Sequence, residues 1–118
     1  MSLDKECKDR SYLYGRLLAI ADRIEYSTYD KERVTNAKRY MNAFSQRPYT
    51  TWRVIEESIQ PYLAKLNPGI RIYYSKLLDE VQNLFTLDTF KDNKKLDGLY
   101  LLGYHSQAFE MNNKKSEK

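Results

Sequence analysis

The stretch DRSYLYGRLLAIADRIEY, residues 9–26, decides the fold. Leu13, Leu17, Ile20 and Ile24 recur at i, i+4, i+7 and i+11, which puts them on one face of an α-helix and leaves Arg16, Asp22 and Arg23 largely off it. Asp9 or Ser11 is available to cap its first turn. A helix with one apolar stripe has to bury that stripe against another element, so the rest of the chain is read for partners.

Four further segments supply them. YDKERVTNAKRYMNAFSQRP, from Tyr29, places Val34, Ala37, Met41 and Phe44 on a second helical stripe, capped by Asp30 and ended by Pro48. In TTWRVIEESIQPYLAKLNPG the stripe is Trp52, Ile55, Ile59 and Leu66. Thr50 or Thr51 is its cap, Pro61 is expected to bend or split it, and NPG is its stop. IRIYYSKLLDEVQNLF repeats the pattern through Tyr73, Leu77, Val81 and Leu84. After a polar connector, TLDTFKDNKK, the last helix LDGLYLLGYHSQAFEM aligns Leu99, Leu102, Ser106 and Phe109. The expected fold is all-α, a compact bundle of about five helices. Residues 11–111 form the bundle, 1–10 an N-terminal extension, and 112–118 a disordered basic tail. Gly15 and Gly103 fall inside helices, where each costs about 1 kcal/mol relative to alanine. They are therefore expected where two helices approach too closely for a side chain.

Composition agrees with one domain. The 118 residues allow a single core, and only 4 Gly and 3 Pro argue against a turn-rich β architecture. The lone Cys7 has no disulfide partner, no apolar run approaches the roughly 20 residues of a spanning helix, and the first residues lack a signal-peptide core. A cytoplasmic protein is expected. The net charge of +4 is unevenly spread. Lys31, Arg33, Lys38, Arg39, Arg47 and Arg53 face only Glu32 within residues 31–53, and the rest of the chain is close to neutral. Lys31, Lys38 and Asn42 fall on one helical line with Arg39 beside it, and Tyr40 and Tyr49 are interleaved, a pattern that suits a phosphate backbone. These six cations are the candidate nucleic-acid-binding residues. The competing reading is a solvated helix face.

Catalytic patterns are absent. His105, the single histidine, has only Glu110 nearby and not on its own turn, so a hydrogen bond to a neighbouring helix is the expected role. One His and one Cys far apart match no metal spacing, there is no P-loop or dinucleotide fingerprint, and Glu56 and Glu57 point about 100° apart on a helix. No enzyme activity, cofactor, metal or small-molecule substrate is expected.

Read together, YLYGRLLAIADRIE, YLAKLNPGIRIYYSKLLDEV and LYLLGYHSQ resemble the C-terminal helical region of the large subunit of type I-C CRISPR Cascade complexes. Tyr12, Leu13, Gly15, Arg16, Leu17 and Ala19 match that family's YLLGRLFA-like opening; Lys65, Leu66, Tyr73, Tyr74, Lys76 and Leu77 its middle; Leu102, Gly103, Tyr104 and Gln107 its closing LGYYHQ-like motif. Here Ser106 separates His105 from Gln107, a departure from that motif. In such systems this region is also made separately, by internal translation, as the complex's small subunit. The resemblance implies a non-catalytic subunit that lines the complex and steadies opened DNA. Its implied partners are the Cascade backbone and large subunits, other copies of itself and the displaced DNA strand, with guide RNA as a further candidate and no membrane. The alternative is a helical protein–protein adaptor that binds no nucleic acid.

Overall fold

A computed structural model describes residues 3–27, 35–86 and 90–116, with side chains through Asn112. The helices are α1 (Arg10–Tyr26), α2 (Asn36–Arg39), α3 (Met41–Gln46), α4 (Pro48–Lys65), α5 (Pro68–Leu84) and α6 (Leu99–Ser116). The fold is all-α, as expected.

Helix α1 is the axis of the molecule. Asp9 caps it, its carboxylate accepting from the backbone N–H groups of Ser11 and Tyr12 at 3.0 and 3.3 Å. Ser11 has a different task, its hydroxyl accepting from the N–H of Asp97. Every residue from Ser11 to Ala21 is buried. Helices α2, α4, α5 and α6 all pack on α1, so no face is left for solvent. This corrects the one-stripe reading, in which Arg16 lay off the buried face: Arg16 is 3% exposed. Tyr14, Leu18 and Ala19, which lie off the Leu13–Ile24 line, carry the apolar surface round the helix, the mark of a central rather than a peripheral element.

The closest packing is between α1 and α6. A Cβ on Gly15 would sit 1.9 Å from the carbonyl oxygen of Tyr100, and one on Gly103 would sit 2.1 Å from that of Tyr12. The two glycines thus face each other's helix backbone, as their cost within a helix suggested. This contact selects the buried face of α6: Gly103, Tyr104, Ser106, Gln107 and Met111 are buried, while Leu99, Leu102 and Phe109 are 41%, 45% and 43% exposed. The expected apolar alignment on the last helix is therefore corrected. Close approach requires small residues, and apolar spacing alone points to the wrong side of this helix.

Prolines start helices here rather than only ending them. Pro48 opens α4 and Pro68 opens α5, each at a position where its missing N–H is not needed. Neither expected threonine caps α4; Arg47 stands at its N-cap without a side-chain bond, and the Thr51 hydroxyl donates to the carbonyl of Ala43. Asn67 caps α5 by accepting from the N–H of Ile70 at 3.0 Å. Pro61 does not split α4, because buried Ile55 and Ile59 before it and Tyr62 and Leu63 after it hold both halves in the core. On α5 the best-buried residues are Tyr74, Leu78 and Val81, with Tyr73, Leu77 and Leu84 on the flank of that line.

Two outcomes are expected in denaturant melts. Gly15→Ala should cost at least about 3 kcal/mol, at the upper end for overpacking, because the obstructing atoms are backbone and cannot turn aside. Trp52 is fully buried, and Trp52→Ala should cost about 3 to 5 kcal/mol. A Gly15→Ala cost under about 1 kcal/mol would contradict the described crossing.

Candidate nucleic-acid interface

Two acidic residues of α1 seat the basic segment. Glu25 is 1% exposed, and both its carboxylate oxygens accept from the N–H of Asn36, at 3.0 and 3.1 Å. Asp22 accepts from the hydroxyls of Thr35 and Tyr104. The Thr35 oxygen in turn accepts from the N–H of Lys38, capping α2. Burial pushes the Tyr104 phenol well above its ordinary pKa, and the Asp22 carboxylate beside it adds to that. Tyr104 therefore stays a hydroxyl donor to Asp22.

The expected single helix over this segment is broken at Tyr40, where α2 ends and α3 begins. Ala37 packs into the core from α2 and Phe44 from α3, where its ring meets Tyr14 edge-on at 5.6 Å. Burying both outweighs helix continuity. The line through Lys31, Lys38 and Asn42 is thus not a helical stripe: Lys38 sits on α2 and Asn42 on α3. Asp30, Lys31 and Arg33 lie outside the described residues. Lys38 and Arg39 are exposed at the end of α2, Arg47 at the α3–α4 junction, and Arg53 on α4. None of Lys38, Arg39 and Arg47 is paired to a carboxylate among the described residues. The Arg53 guanidinium lies 5.9 Å from the Tyr49 ring centroid and within 3.4 Å of its hydroxyl. Tyr40 is 39% exposed.

Residues 90–96 of the polar connector before α6 form a strap fixed along this segment. Arg10 donates to the carbonyls of Asp92 and Lys94, at 2.7 and 2.5 Å, and its guanidinium lies over the Tyr14 ring. The Tyr14 hydroxyl donates to the carbonyl of Phe90, whose ring also meets Tyr49 at 5.4 Å. Thr50 and Asn93 exchange two hydrogen bonds, at 3.0 and 2.8 Å, and the N–H of Leu96 donates to the carbonyl of Ser45. The consequence is electrostatic. Exposed Lys91, Lys94 and Lys95 are carried to the side of the molecule that holds Arg47 and Thr50. Charge counted along the chain misses this, because Asp92 and Asp97 offset most of it locally. The available signal was the pair Phe90 and Leu96, apolar residues in an otherwise polar run.

No group of three or more His, Cys, Asp or Glu side chains suited to a metal occurs among the described residues. No described helix is long and apolar enough to cross a membrane. His105 is exposed and packs edge-on against the ring of Tyr104; among the described residues it makes no hydrogen bond to a neighbouring helix, which corrects that expectation. What the surface offers among the described residues is exposed cationic donors beside exposed tyrosine and amide groups.

The strap yields a direct expectation. In a Cys7→Ser, Lys94→Cys chain, a nitroxide at position 94 should broaden the amide resonances of Ser45 to Arg47, Tyr49 and Thr50, and leave those of Gly69 to Ile72, in the first turn of α5, sharp. Unbroadened Ser45 to Thr50 would detach the strap from the basic segment.

No curated protein sequence matches this chain. Residues 1–111 match the family described as CRISPR-associated protein (Cas_Csd1). That match covers almost the whole chain, including the α1–α6 crossing, the seated basic segment and the strap, and the protein belongs to the Cas_Csd1 family of CRISPR-associated proteins.

Proposed function

We propose that this chain acts as a non-catalytic small subunit of a type I-C Cascade surveillance complex in the cytoplasm. Its basic side, Lys38, Arg39, Arg47 and Arg53, steadies opened DNA, Lys31 and Arg33 of the same sequence stretch adding phosphate contacts, while other faces meet the backbone subunits, the large subunit and further copies of itself. The observation that carries the reading is the exposure of Lys38, Arg39 and Arg47, without carboxylate partners among the described residues, on a member of a CRISPR-associated family. Opening target DNA replaces one duplex by another at nearly balanced free energy, so phosphate contacts to the displaced strand tip the balance without chemistry. The strap lysines Lys91, Lys94 and Lys95 widen the same basic side.

A second reading, a protein–protein adaptor, is favoured by the exposed apolar side chains of Leu99, Leu101, Leu102 and Phe109 on α6. A salt series separates the two. Each phosphate contact to single-stranded DNA contributes about 0.7 to the slope of log affinity against log salt. Replacing Lys38, Arg39 and Arg47 together by alanine should therefore lower the slope on oligothymidylate by about two, with stability within about 1 kcal/mol of the parent. Complexes assembled with this variant should form R-loops less readily. An unchanged slope and unimpaired R-loops would leave the adaptor reading in its place.

A further inference from the structure

A second candidate site lies away from the basic side, in a cleft of about 570 Å³ between α1, α5 and α6. Arg16 and Gln107, 3% and 0% exposed, stand in its wall. The Arg16 Nε–H donates to Gln107 Oε1 at 2.8 Å. Because a guanidinium only donates, that bond fixes which end of the amide faces it, and the amide nitrogen of Gln107 is left as a donor. Neither this nitrogen nor Arg16 Nη1 has an acceptor among the described residues. Burial disfavours the charged guanidinium, with Tyr12 and Glu80 among the groups opposing that effect, yet no carboxylate lies within ion-pair distance of it among the described residues. A buried cation with unmet donors is costly, and its natural complement is an oxyanion with two acceptor oxygens.

We infer that the cleft is a docking site for a protein segment that inserts a carboxylate side chain against Arg16 and Gln107. The rim decides between a carboxylate and a nucleic-acid phosphate. Glu80 and Glu110 line the cleft along with Lys5 and Lys76, and Lys5 is already 3.6 Å from Glu110. One inserted acid meets the Arg16 charge, whereas a polyphosphate strand would bring its neighbouring charges against Glu80 and Glu110. Leu77 and Leu84 supply apolar wall for the residues beside that acid. The site shares no residue with the basic side, so either can fail without the other.

The test uses the intact ¹⁵N-labelled chain, following the side-chain resonances of Arg16 Nε–H and Gln107 NH₂. The probes are the blocked dipeptides acetyl-Glu-Leu-amide and acetyl-Gln-Leu-amide, and oligothymidylate. Acetyl-Glu-Leu-amide should shift both resonances saturably, and the glutamine dipeptide should bind at least about tenfold more weakly, as expected for loss of a charge-assisted bond. In the Arg71→Ala chain, altered at an exposed position outside the cleft lining, the glutamate dipeptide should keep that preference. Equal response to the two dipeptides, no response to either, or an equal or larger response to oligothymidylate would overturn the proposal.

Discussion

The crossing of α1 and α6 at Gly15 and Gly103 constrains everything else in the molecule. Each glycine lies where a Cβ would collide with a carbonyl of the opposite helix, so the two backbones meet directly. That proximity seats Tyr104 where it reaches Asp22, and Gln107 where it reaches Arg16. Asp22 and Glu25 then hold the start of α2, and through it the direction in which the basic segment leaves the core. A chain of short-range consequences runs from two missing side chains to the placement of surface charge.

The molecule separates its polar work into two kinds. Cations on the outer side, on α2, the α3–α4 junction, α4 and the strap, stay in water, where long-range attraction to a polyanion costs no desolvation. The Arg16–Gln107 pair is nearly out of water, where an unmatched donor is expensive and geometry discriminates. The first arrangement suits binding that tolerates any sequence, the second a single fitted group. The proposed role, a subunit of an assembly that opens DNA, has use for both.

Much of this was legible in the sequence. Helix ends follow from apolar spacing together with Asp9, Pro48 and the NPG stop, because caps and prolines act locally, although Pro48, Asn67 and Pro68 also start the next helices, which the sequence reading did not draw from them. The glycine contact was legible too, since a glycine inside a helix carries a cost that packing can offset. Helix faces were less legible. On α6 the apolar residues Leu99, Leu102 and Phe109 turn outward and the small and polar ones turn inward, because the approach to α1 admits only residues such as Gly103. The break at Tyr40 depends on Phe44 meeting Tyr14, a contact between distant parts of the chain. Of the six cations expected to bind nucleic acid, four are described and exposed, but not on one stripe, and the strap lysines join them only through tertiary hydrogen bonds.

The proposed role puts the basic side, with Arg47, against opened DNA and leaves the exposed apolar residues of α6, Leu102 among them, for a protein neighbour. Photo-crosslinking within an assembled complex paused with its target strand open tests this most directly, with a benzophenone side chain placed at position 47 or at position 102. Adducts to the displaced DNA strand are expected from position 47 and to a protein neighbour from position 102. Adducts from position 47 that contain protein alone would contradict that role.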